Sequence, residues 1–171
     1  MKTKTEENEN KETVSLEIER KILLKRLPKI KYDEVYHIEQ YYIKKGNKWV
    51  RYRKQTDSEG NIIYIKNKKE KVKQGVSREY ETIISKDKFD KTLKKYDSKK
   101  YISKFRHIKY FNDNKHKWEI DEFERYNIVI AEVELEKLNE SINIPKYISD
   151  VYIKDVTKFR EFSNRKLSEY L

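Results

Sequence analysis

Charged side chains recur at a spacing of two along most of this chain, a period that belongs to strands. Glu17-Ile18-Glu19-Arg20-Lys21, Glu79-Tyr80-Glu81, Glu119-Ile120-Asp121 and Glu132-Val133-Glu134 carry paired acids, while Arg51-Tyr52-Arg53 and Lys104-Phe105-Arg106 carry paired bases. Successive side chains on a strand alternate between faces, so each like-charged pair shares one face and an apolar or bulky residue takes the other. A solvated charge run has no need to keep this period beside Ile, Val, Tyr and Trp. Acids and bases placed on facing strand surfaces point to a metal ion bound together with a highly charged anion.

At 171 residues and 21.1 kDa the chain fits one domain with a sizeable core. Residues 1–13 are polar and read as a disordered leader, leaving 14–171 as the domain. Strand patterns cover 15–24, 36–44, 49–54, 62–66, 76–85, 101–110, 116–123 and 128–135. Turns are expected at Lys45-Gly46-Asn47, Ser58-Glu59-Gly60-Asn61 and Asn112-Asp113-Asn114, and a lysine-rich connector at 67–74. Helical spacing appears over 86–96, with Phe89 and Leu93 four apart, and again over 157–171, where Phe159, Phe162, Leu167 and Leu171 form an apolar stripe. The fold class is therefore mainly β (α+β), an antiparallel barrel or a strongly curved sheet with an ionic inner face.

Composition narrows the chemistry. The absence of Cys excludes disulfides, thiolate catalysis and cysteine metal sites, and together with the lack of an apolar leader it favours a cytoplasmic protein. No stretch approaches the roughly 20 apolar residues that cross a bilayer. The 41 Lys and Arg against 30 Asp and Glu, a formal +11, call for a polyanionic partner, which charge alone leaves open among nucleic acid, a membrane surface and a small phosphate compound. His37, His107 and His116 form no zinc motif, and the tyrosines and tryptophans read as wall and core.

Taken in order, these motifs resemble the CYTH superfamily, the triphosphate tunnel metalloenzymes. Glu17 to Lys21 resembles the ExExK signature, Arg51 and Arg53 the RxR strand, Lys66 the single mid-barrel lysine, Glu79 and Glu81 the paired glutamates, and Lys104 and Arg106 the KxR strand. Trp118 to Phe123, Ala131 to Glu134, and Asp155-Val156-Thr157 with Asn164 and Leu167 resemble the later landmarks, so the similarity runs from 15 to about 168. Compact bacterial inorganic triphosphatases are the most similar members.

The resemblance implies an eight-stranded antiparallel β-barrel forming a charged tunnel, with peripheral helices and a C-terminal helix. It implies a triphosphate held by Lys21, Arg51, Arg53, Lys66, Lys104, Arg106 and Arg160, and Mg²⁺ or Mn²⁺ held by Glu17, Glu19, Glu79, Glu81, Glu132 and Glu134, with Glu119 and Asp121 in support. Arg53 and Lys66 would act on the reacting phosphate, and Glu81 or Glu134 would take the water proton. Tripolyphosphate is the expected substrate. The family's alternatives are class IV adenylate cyclase, thiamine-triphosphatase and RNA 5′-triphosphatase. A noncatalytic nucleic-acid-binding module competes through the lysines from Lys66 to Lys73, no membrane partner is expected, and the family implies a homodimer. Two departures stand out: Arg78 directly precedes Glu79 and so faces the opposite side, and Lys158-Phe159-Arg160-Glu161 replaces a more acidic approach to Phe162.

Overall fold

The period-two segments become ten strands of a single antiparallel sheet in the computed structural model, which describes residues 10–97, 99–112 and 116–170. The strands are β1 (Glu12–Glu17), β2 (Glu19–Leu24), β3 (Glu34–Lys45), β4 (Lys48–Thr56), β5 (Ile62–Lys73), β6 (Val76–Ile84), β7 (Lys100–Tyr110), β8 (Lys117–Phe123), β9 (Val129–Glu134) and β10 (Tyr152–Asp155). Among the described residues three short α-helices accompany them, α1 (Lys86–Lys95), α2 (Lys146–Ser149) and α3 (Asn164–Leu167). No helix among the described residues is long and apolar enough to cross a membrane.

The expected closed, eight-stranded barrel is not what forms. The sheet is open, in the order β1-β6-β5-β4-β3-β7-β8-β9-β2-β10, and no ladder joins its edge strands β1 and β10 among the described residues. The reason lies at Ile18, where the single strand expected over 15–24 is interrupted. Glu12–Glu17 pairs with β6, whereas Glu19–Leu24 pairs with β9 on one side and β10 on the other. The sheet is nevertheless strongly curled. Lys69 on β5 and Glu19 on β2 stand six places apart in the strand order, yet their charged atoms are 2.9 Å apart.

Three further expectations change. Residues 67–74 are not a connector: β5 runs on to Lys73, and only Gln74 and Gly75 make the turn into β6. Gly75 holds φ at +77°, and a Cβ there would stand 2.9 Å from Leu138 Cδ2, so both backbone and space require glycine. The expected helix over 157–171 is broken into a 3₁₀ turn at Arg160–Phe162, α3, and a second 3₁₀ turn at Ser168–Tyr170. Glu12 and Thr13, assigned to the leader, belong to β1, while residues 1–9 and the turn positions Asp113 and Asn114 lie outside the described residues.

Apolar packing occupies the convex side and one end of the trough. Ile22, Leu24, Trp118, Ile120, Ala131 and Val133 point away from the charged face and pack with Ile148 and Val151 at α2. Across β3, β4 and β6, Ile43, Val50, Tyr52 and Ile84 receive Phe89 of α1, whose ring lies 4.8 Å from that of Tyr64. Ser85 caps α1 by accepting a hydrogen bond from the Lys88 amide at 3.3 Å. On the concave side, Leu167 of α3 packs with Tyr42, Ile102, Phe123 and Ile130, with Phe162 beside them, so the C-terminal segment plugs one end of the trough. The rest of the concave face is left to charge.

Candidate functional site

Register explains which charges meet. Arg51 lies opposite Asn67, Asn67 opposite Glu81, Lys69 opposite Glu79, Arg106 opposite Asp121, Glu119 opposite Glu132, and Glu19 opposite Glu134. Because directly paired residues share a face, these side chains converge on the concave side. All of these except Asp121 line a cavity of about 3120 Å³, together with Glu17, Lys21, Arg53 and Arg160.

One wall is acidic, with lysines threaded through it. Lys69 Nζ lies 2.7 Å from Glu17, 2.9 Å from Glu19 and 3.6 Å from Glu79, and Lys21 Nζ bridges Glu19 at 3.0 Å and Glu132 at 3.1 Å. Crowding of these carboxylates is visible in Glu17. Burial and a hydrogen bond with Glu79 push its carboxyl up to about 9 against the pull of Lys69. Glu134 has no ion pair among the described residues; burial, then the charges of Glu119 and Glu19, raise it above the ordinary carboxylate value.

The opposite wall is basic. Arg106 forms a fork to Asp121, Nε to Oδ1 at 2.7 Å and Nη2 to Oδ2 at 2.8 Å, and also reaches Glu132 at 3.3 Å and Glu119. Arg51 lies 3.4 Å from Glu81 and 3.9 Å from Glu79, and Asn67 Nδ2 donates to both carboxylates at 3.0 and 3.1 Å.

Arg53 differs from its neighbours. Its guanidinium makes no ion pair among the described residues, and its buried Nε has no hydrogen-bond partner. Burial first, then the charges of Arg51 and Arg106, push it down to about 10, which leaves it cationic at neutral pH. Gln40, directly opposite Arg53 in the ladder, is fully buried with neither amide atom partnered among the described residues, and the same is true of Arg51 Nε. Buried donors are normally satisfied, so a row of orphaned ones on a concave face calls for an acceptor-rich ligand.

Three expected residues lie elsewhere. Lys66 is on the convex side, opposite Tyr52, among Lys68, Lys45 and Lys88; burial and those like charges lower its ammonium. Lys104 and Asp121 face the concave side but are sealed beneath it with no exposed side-chain surface, joined to each other and, through Lys104 Nζ at 3.1 Å, to Asn164, the first residue of α3. They hold Arg106 and the C-terminal plug in place. Asn67 and Lys69 join the site from the segment expected to be a connector, in which Lys69 is otherwise expected only as a nucleic-acid contact. Extending the period-two pattern of Ile65 through positions 67 and 69 would have found them.

The donor chemistry of the acidic wall suits a hard divalent cation. Glu17, Glu19 and Glu79 present carboxylate oxygens to one positive centre, with no sulfur or imidazole among them. In this arrangement that centre is the Lys69 ammonium, and no three acidic or histidine side chains among the described residues form an assembled metal cluster.

Known proteins share this architecture. The crystal structure of the hypothetical protein NE1496 is similar to this chain over 89% of its length and 97% of that chain, with a TM-score of 0.57 and 21% identity. A structure of the inorganic triphosphatase NE1496 is similar at 20% identity and TM-score 0.57, covering 89% of this chain and 93% of that one. The PH1819 protein from Pyrococcus horikoshii OT3 is similar at 20% identity and TM-score 0.54, over 71% of this chain and 78% of the other. No curated protein matches the chain significantly. The CYTH domain matches residues 15–170, a span holding almost every strand that builds the two charged walls, and the chain belongs to that family of triphosphate tunnel metalloenzymes.

Proposed function

We propose that the protein hydrolyses a triphosphate in a divalent-metal-dependent reaction, with inorganic tripolyphosphate cleaved to pyrophosphate and phosphate. The observation that carries this reading is Arg53, a half-buried cation with a buried, unpartnered Nε and no ion pair among the described residues, flanked by Arg51 and Arg106 and facing an acidic wall. A linear polyanion laid along these guanidiniums supplies the missing acceptors, and arginine forks match phosphoryl oxygens. The inorganic triphosphatase NE1496 has a similar fold and supports the choice of substrate.

In this reading Arg51, Arg53 and Arg106 bind and orient the phosphoryl chain and offset charge that builds on the leaving group. Lys21, held between Glu19 and Glu132, fixes the junction of the two walls. Glu17, Glu19 and Glu79 hold Mg²⁺ or Mn²⁺, with Glu132 beside them. When bound, the cation polarises phosphate and lowers the pKa of its water. Glu134 accepts the water proton, since Glu81 is already engaged by Asn67 and Arg51. Lys66 takes no part. The cysteine-free composition suits action in the reducing cytoplasm.

The test is a ³¹P NMR time course with tripolyphosphate, thiamine triphosphate, ATP and 5′-triphosphorylated RNA, each with Mg²⁺, Mn²⁺ or chelator. Pyrophosphate and phosphate should accumulate fastest from tripolyphosphate and only with metal. Cyclic AMP from ATP would move the assignment to a cyclase, and no turnover of any substrate would overturn it.

A further inference from the structure

The acidic wall carries its own cation. Lys69 reaches the concave face because β5 continues past Asn67, and its ammonium meets carboxylates from three strands: Glu17 of β1, Glu19 of β2 and Glu79 of β6. An ammonium has three donors, and here three carboxylates surround it at 2.7, 2.9 and 3.6 Å. Like charges gathered this closely repel unless a cation stands between them. The two lysines of this wall are held differently. Lys21 is tucked between strands with 18% of its side chain exposed, whereas Lys69 is 41% exposed on a long flexible stem toward the turn of the β5–β6 hairpin. One cation is anchored, and the other is free to leave without disturbing a ladder.

We propose that Lys69 is a built-in counter-cation that holds Glu17, Glu19 and Glu79 together and gives up its position when a divalent cation binds. The inference rests on the metal-dependent reading above. It makes metal affinity a difference between two cations competing for one set of oxygens. A divalent ion must displace the ammonium, so the wild-type protein binds metal more weakly than the bare carboxylates would. The displaced ammonium swings into the cavity, on the side where the basic wall receives an anion.

Calorimetric titration of the substrate-free protein with Mn²⁺ tests this without reference to turnover. Lys69→Met should bind Mn²⁺ about tenfold more tightly than wild type, the size expected when a partly exposed multiple ion pair no longer competes. In chelator Lys69→Met should melt at a lower temperature than wild type, and Mn²⁺ should raise its Tm by more. Lys69→Arg should behave as wild type. Equal or weaker Mn²⁺ binding by Lys69→Met would overturn the inference, as would failure of both proteins to bind. Should Lys69→Met not fold, the wild-type protein decides the matter: the Lys69 Nζ resonance, assigned by its loss in Lys69→Arg, should shift on addition of Mg²⁺, and an unmoved resonance would overturn it. These outcomes are separable from failure of the triphosphatase reading, which is scored by product formation in the ³¹P assay.

Discussion

Arg53→Met should yield a folded protein that cleaves tripolyphosphate at least about 100-fold more slowly, the loss typical of removing one preorganised donor from a site of developing charge. The informative part is what happens to stability. Arg53 is half-buried, with its Nε fully enclosed and no ion pair among the described residues, and Arg51 and Arg106 repel it. A hydrophobic side chain of similar volume relieves that penalty, so Tm in the absence of ligand should stay level or rise. Steady-state kinetics beside a thermal melt check both halves. A fall in activity that merely tracks a fall in Tm would make Arg53 a structural residue and remove the main support for an anion on this face.

Asp121→Asn should do the reverse and strike the fold first. Asp121 is wholly buried and satisfies two cations, through the Arg106 fork and the contact with Lys104. Neutralising it strands Lys104 and takes the fork from Arg106, which keeps only Glu119 and Glu132, and breaking a buried ion pair by removing one partner costs about 3–5 kcal/mol. For a chain of this size that corresponds to a drop in Tm of about 10 °C. Activity should suffer secondarily, as Arg106 loses its orientation.

The same network sets an acid limit. Burial acts to raise the Asp121 carboxyl, but the charges of Arg106 and then Lys104 override it and hold the group below its ordinary value. A carboxyl lowered on folding contributes stability that is complete above its unfolded pKa, about 3.9, and is lost as pH falls further. Wild type should therefore lose stability below about pH 4 more steeply than Asp121→Asn, as denaturant melts across that range would record. Parallel slopes would mean that the network is not the acid-sensitive element.

Much of this site was legible because a period of two fixes which side chains share a face. Arg51, Arg53, Glu79, Glu81, Glu119, Glu132, Glu134 and Arg106 all reach the cavity from that rule alone. What the rule cannot give is depth or closure. Lys104 and Asp121 obey the same alternation as Arg106, yet α3 and Phe123 cover their end of the trough, which turns a candidate phosphate ligand into a structural pair. Lys66 faces away because Ile65, Asn67 and Lys69 take the inward positions of β5. The lysines after it read as a solvated connector, whereas they continue the strand and carry Asn67 and Lys69 to the concave face. Closure depended on one residue: the interruption at Ile18 divides a continuous pattern between β6 and β9, and nothing in the local spacing marks it.

The account stands on a triphosphate lying against the Arg53 guanidinium. A crystal structure of the protein with a non-hydrolysable imidotriphosphate and Mg²⁺ tests that most directly. The phosphoryl chain should lie on the concave face, with an oxygen within hydrogen-bond reach of Arg53 Nε, about 2.7–3.2 Å, and others on Arg51 and Arg106. A ligand seated instead among Lys45, Lys66 and Lys88 on the convex side, with Arg53 untouched, would contradict it.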